Sequence, residues 1–140
     1  MIPDSSNEMA AQRVVDGLCR QYRLPPVSVF VLPAPLQYRE GDVDVLNGVW
    51  VQYYCPQDNP YELSPYAIFL SDCLWWDTEV VRFHVILHEF THHLHHLKHG
   101  GKGAMHGVLF RRLEKEVCAI FGLEITHKSS GYVKDIRCKK

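Results

Sequence analysis

Val80-Val81-Arg82-Phe83-His84-Val85-Ile86-Leu87-His88-Glu89-Phe90-Thr91-His92 sits near the middle of the 140-residue chain and reads as one long apolar helix. A helix turns about 100° per residue, so His88 and His92 stand one turn apart on the same face. Two imidazoles so placed can reach one zinc ion at about 2.0–2.1 Å. Glu89 lies beside His88, where its carboxylate reaches a water rather than the ion, as a general base must. The pattern H-E-x-x-H also arises by chance, and nine histidines raise that rate. Its setting adds weight: Val80, Val81, Phe83, Val85, Ile86, Leu87, Phe90, Leu94 and Leu97 make the helix mostly buried. A glutamate and two histidines buried together need partners, and a metal ion supplies them.

Working outward, Asp77-Thr78-Glu79 caps this helix with acidic residues in its first turn, and Gly100-Gly101 and Gly103 end it after His99. Upstream, Tyr66-Ala67-Ile68-Phe69-Leu70 and Gly48 to Cys55 read as strands, and the proline-rich stretch Pro56 to Pro65 between them reads as a loop. Val43-Asp44-Val45 forms a short strand between the turn signals Glu40-Gly41-Asp42 and Asn47-Gly48. Val27 to Leu32 is a strand bounded by prolines. A first helix over about residues 7 to 22 follows the cap signals Asp4-Ser5-Ser6-Asn7 and stops at Leu24-Pro25-Pro26. Downstream, a helix over about residues 106 to 121 carries the stripe Leu109, Leu113, Val117 and Ile120 and closes at Gly122. Residues 123–140 read as a short strand at Ile125 and then a polar, basic tail. The expected fold is α+β. A small three- to four-stranded mixed sheet packs on the H-E-x-x-H helix between N-terminal and C-terminal helices, in one domain over 1–140.

A catalytic zinc site needs a third protein ligand and an open position. His95 lies seven residues from His88, about 10.5 Å along a straight helix, too far for one tetrahedral ion, and His84 fails likewise. The third donor must come from another element. One large class of zinc proteases places a glycine three residues after the second histidine and its third histidine three later. Those positions hold His95 and Lys98, which excludes that class. His106 follows the glycine turn and can double back to the ion. Glu116, near the middle of the last helix's apolar stripe, is the alternative ligand or a supporting residue.

His88-Glu89-x-x-His92, with His106-Gly107-Val108-Leu109-Phe110 fourteen residues on, resembles the SprT/Spartan family of zinc metalloproteases, which pairs H-E-x-x-H with a later H-G-x-x-F. The Gly48-Val49-Trp50 and Ile68-Phe69-Leu70-Ser71 strands resemble its compact zincin-like sheet. The resemblance covers residues 10 to 123 loosely and 66 to 121 specifically. It implies one Zn2+ held by His88, His92 and His106, Glu89 as the base in peptide hydrolysis, a polypeptide substrate, and a sheet edge along which that substrate lies. It also raises proteolysis of DNA-bound proteins, although in place of the family's zinc ribbon the tail offers only Lys128, Lys134, Arg137, Lys139 and Lys140. A second zincin family, the ImmA/IrrE type, takes a glutamate from the following helix, which would promote Glu116. A non-catalytic zinc-binding regulatory module would keep the same ligands.

Composition narrows the field further. A net charge of −1 gives no global field for nucleic acid, and no apolar run approaches a membrane span. The polar Met1 to Ala11 stretch does not read as a signal peptide, so an intracellular protein is expected. The five cysteines form no C-x-x-C pair and read as reduced thiols, with Cys138 the exposed one. His93, His95, His96 and His99 read as solvent-facing residues at a helix C-terminus, with His95 and His99 spaced for adventitious metal. Trp50, Trp75 and Trp76 read as core or rim packing, and Tyr132 or His127 as candidate oxyanion donors. Oligomeric state leaves no mark in the sequence.

Overall fold

The central helix is placed by its ends. In the computed structural model, which describes residues 5–33, 36–40, 42–46, 48–52, 65–129 and 133–138, helix α2 runs Glu79–His99. The Thr78 hydroxyl accepts from the Val81 N–H at its start, and Gly100 ends it at φ 62°. Gly100, Gly101 and Gly103 all have positive φ, a run that side-chain-bearing residues would strain. The chain thereby reverses into α3, Val108–Ile120, which packs against α2.

Helix α1 spans Ser5–Tyr22, and Ala11, Val15, Leu18 and Cys19 form its buried stripe. The strands are β1 Ser28–Leu32, β2 Leu36–Glu40, β3 Asp42–Leu46, β4 Gly48–Gln52, β5 Tyr66–Ser71, β6 Leu123–His127 and β7 Val133–Cys138. β5 is the middle of a three-stranded mixed sheet, parallel to β1 and antiparallel to β4. The outer edge of β1 is closed by α1 side chains: Val29 N–H donates to Gln12 at 2.7 Å and Val31 N–H to Glu8 at 2.9 Å. Ile68 and Leu70 of the sheet meet Ile86, Leu87, Phe90 and Leu94 of α2 in one core, which Val117 and Cys118 of α3 join. The expected small mixed sheet on the motif helix, flanked by two further helices, is present. None of the helices among the described residues is long and apolar enough to cross a membrane.

Three expectations are corrected. The strand at Val43 is half of a hairpin, β2 pairing antiparallel with β3, because a lone strand would leave its backbone donors and acceptors unmatched. The last helix starts at Val108, so His106 and Gly107 belong to the turn before it. The strand expected at Ile125 is present, but over 133–138 the basic tail expected after it is a second strand. Leu123 and Ile125 alternate into the core, and β6 then pairs with β7, whose Val133 and Ile136 also pack there. The cap residue Asp4, residues 53–55 of the expected strand and the loop over 56–64 lie outside the described residues.

Candidate metal centre

His88 and His92 project from α2 toward α3, and the glycine turn brings His106 to them. The three ring centroids form a near-equilateral triangle with sides of 4.9, 5.0 and 5.0 Å. One nitrogen from each ring lies within 4.8 Å of the others, and the His88 and His106 Nε2 atoms are 3.2 Å apart. Two nitrogens on one tetrahedral zinc, each bonded at about 2.05 Å, are about 3.3 Å apart. The His88–His106 pair is therefore already at ligand spacing, and three neutral imidazoles are a donor set that zinc accepts.

The turn is built to hold this shape. His106 itself sits at φ 63°, a left-handed conformation that only a few residue types tolerate. Gly107 caps α3, and its N–H donates to Ala104 O at 2.8 Å; a Cβ there would stand 2.9 Å from that same oxygen. His95 donates from Nε2 to Lys102 O at 2.9 Å, pinning the turn to the helix. Beneath the triangle lies Phe110, fully buried, with its ring 5.2, 4.5 and 5.0 Å from those of His88, His92 and His106.

Protonation favours metal capture. Burial, then the charges of His88 and His106, push His92 down to about 3. Burial and the His88 charge also lower His106. Burial opposes charge on His88 too, but its hydrogen bond to Glu114 and the charges of Glu89 and Glu114 prevail and raise it. His92 and His106 are thus neutral near pH 7, with lone pairs to offer.

Glu89 is 6% exposed. Burial raises its carboxyl to about 7 against the opposing charge of His88; Glu114 adds to the rise, and a hydrogen bond from the Trp50 backbone N–H works against it. Gly48 of β4 lies directly over Glu89, since a Cβ there would stand 3.1 Å from Glu89 Cγ and 3.1 Å from Val85 Cγ1. Glu89 and His88 open onto a groove of about 790 Å³ between the first half of α2 and strand β7. Val80, Val81, Val85 and Ile136 give it apolar walls.

The structure brings together His88, Glu89, His92 and His106 as read from the sequence, but not Glu116. That residue is exposed and accepts from the Tyr22 hydroxyl at 3.1 Å. The buried arc of α3 is Phe110, Leu113, Glu114, Val117 and Cys118, because this helix packs on both α2 and β6. The inward carboxylate is therefore Glu114, fully buried and facing three imidazoles: His84 Nε2 at 3.0 Å, His88 Nδ1 at 2.5 Å and His127 Nε2 at 2.7 Å. Burial pushes its pKa up, but the hydrogen bonds from His84, His88 and His127 outweigh that and hold it well below the usual carboxylate range. The line Phe110–Glu114–Cys118, at i, i+4 and i+8, was the sequence signal that could have found it.

Other side chains also differ from their reading. His93 and His95 are buried, not solvent-facing, because α2 is covered by the sheet on one side and α3 on the other. His93 accepts from Trp50 Nε1 at 3.1 Å and donates to Pro25 O at 2.8 Å, so it is a structural link and not a surface charge. His95 commits its Nε2 to Lys102 O, and among the described residues neither it nor His99 belongs to a cluster of three or more metal-ligating groups. Trp50 and Trp75 are half-buried, whereas Trp76 is 81% exposed. His127 spends its Nε2 on Glu114, away from any oxyanion role, and Tyr132 lies outside the described residues. Cys138 is exposed as expected, and Cys19 and Cys118 are buried.

No family model, curated protein or solved structure matches the chain. The SprT/Spartan resemblance therefore rests on its motif residues alone.

Proposed function

We propose that this protein is a zinc-dependent metallopeptidase. The observation that carries the reading is the equal-sided triangle of His88, His92 and His106 with the Glu89 carboxyl beside it, at the end of an apolar groove. A zinc ion held by the three imidazoles would supply a water activated toward a pKa of about 7 and polarise a substrate carbonyl. Glu89 takes the proton from the attacking water and later delivers it to the leaving amine. Burial raises this carboxyl in the metal-free protein, and the charge of a bound ion would draw it back toward the ionised form that a general base needs. A hydrogen bond from the Trp50 backbone N–H holds the Glu89 carboxylate. The groove admits an extended polypeptide. Among the described residues β7 pairs only with β6, so its outer edge keeps backbone groups for a substrate chain.

Cleavage of an unfolded protein such as casein by zinc-loaded protein tests this. Glu89→Gln should retain zinc and lose about 10²–10⁴-fold in rate. Unchanged cleavage would remove Glu89 from its role, and zinc binding without any cleavage by the native chain would favour the regulatory module. A DNA-coupled form of the reading draws on Arg111, Arg112 and Lys115, which line a second recess of about 410 Å³ beside His127. Salt-dependent DNA binding that weakens on reversing these charges supports that form, and no binding at low salt ends it.

A further inference from the structure

We infer that Glu114 is the positioning residue of the metal centre, a carboxylate that fixes the tautomer and direction of His88 and ties the C-terminal hairpin to it. The inference rests on the metal reading above but has a readout of its own. An ionised carboxylate only accepts, so each imidazole nitrogen facing Glu114 carries its proton. His88 Nδ1 is one of them, at 2.5 Å from Oε2. A neutral His88 with its proton on Nδ1 has its lone pair on Nε2, the atom 3.2 Å from His106 Nε2. The carboxylate thereby turns His88 into a ligand aimed at the triangle. Metal-binding histidines generally need such an outer partner.

The other two donors hold Glu114 in place. His84, one turn before His88 on α2, donates to Oε2 at 3.0 Å, and His127 of β6 donates to Oε1 at 2.7 Å. Elements α2, α3 and β6 thus converge on one buried carboxylate. This accounts for His84, which helix span rules out as a ligand and whose Nε2 is committed here. His84, His88 and Glu114 also bring three ligand atoms within 4.8 Å of one another. The 2.5 Å contact argues against an ion among them, because two donors on one zinc ion stand about 3.3 Å apart.

Long-range 1H–15N correlation spectra of the full chain with labelled histidine read the tautomer directly. In metal-free protein in alkaline buffer, His88 should carry its proton on Nδ1. On zinc addition its Nε2 resonance should shift while the Nδ1 proton stays. Glu114→Gln replaces a charged acceptor on both oxygens by a neutral amide that accepts through one atom only, so the Nδ1–H form should lose part of its dominance and the zinc Kd should rise about 10–100-fold. His127→Gln keeps a side-chain N–H donor for Glu114 Oε1 and so should not change the His88 tautomer. A His88 proton on Nε2 in the metal-free native chain overturns the inference even if Glu114→Gln does not fold. So does zinc binding through His88 Nδ1, or an unaltered Kd in Glu114→Gln. Failure of the native chain to bind zinc would instead strike the metal reading and leave the tautomer result standing.

Discussion

Replacing Glu89 by glutamine should make the metal-stripped protein more stable, and only at high pH. The folded carboxyl holds its proton to about 7, against an ordinary value of 4.5. Below about pH 4.5 both folded and unfolded chains are protonated at this position and the group contributes nothing. Between 4.5 and about 7 the unfolded chain has released a proton that the folded chain keeps, so stability falls as pH rises. Above about 7 the full penalty is present. At about 1.4 kcal/mol per pH unit, that gap corresponds to about 3 kcal/mol. Glutamine has the size of the protonated acid and can still accept from the Trp50 N–H, so it removes the penalty without a cavity. Urea unfolding of both proteins in chelator, followed by fluorescence from about pH 4 to pH 8.5, reads Glu89 together with its charge coupling to His88. The stability difference should climb from near zero to about 3 kcal/mol in favour of the variant. A difference that is flat with pH, or a variant less stable at pH 8.5, would refute the buried, proton-retaining state of Glu89.

Phe110→Ala removes the ring beneath the triangle and should destabilise the fold by about 3–5 kcal/mol in urea melts while weakening zinc binding, since the imidazoles then repack; a loss below 1 kcal/mol would show that Phe110 is not a packed floor. Gly48→Val forces a side chain onto Glu89 and Val85, and should cost about 1–3 kcal/mol. Its peptidase rate should fall further than its zinc affinity, because the crowded residue is the base and not a ligand; equal losses in both would contradict this. Zinc affinity measured with a competing chelator should drop as pH falls, because binding must displace the proton that Glu114 and Glu89 favour on His88. An affinity independent of pH between 5 and 8 would contradict the ligand assignment.

The parts of this molecule readable in the sequence are those fixed by local geometry. The one-turn spacing of His88 and His92, the Thr78 cap and the glycine stop at Gly100 depend on neighbours in the chain, and they appear as read. His106 was reached because span arithmetic left only a donor beyond the glycine turn. What failed depended on which elements pack on which. Reading Leu109, Leu113, Val117 and Ile120 as the stripe rotated α3 enough to make Glu116 inward, whereas contact with both α2 and β6 turns Glu114 in and leaves Ile120 exposed. His93 and His95 were assigned to solvent because charge at a helix C-terminus is favourable, a local argument that says nothing about the sheet and helix covering both sides. The β6–β7 hairpin was missed because only β6 carries a clear inward alternation. β7 is mostly exposed and exists through its pairing with β6.

X-ray absorption at the zinc edge, on protein loaded with one equivalent of zinc, tests the central claim most directly. The account predicts one tightly held ion per chain with three imidazole nitrogens at about 2.0–2.1 Å, each contribution lost in turn in His88→Ala, His92→Ala and His106→Ala. Zinc that fails to bind stoichiometrically, or a spectrum unchanged when those three side chains are removed, would contradict it.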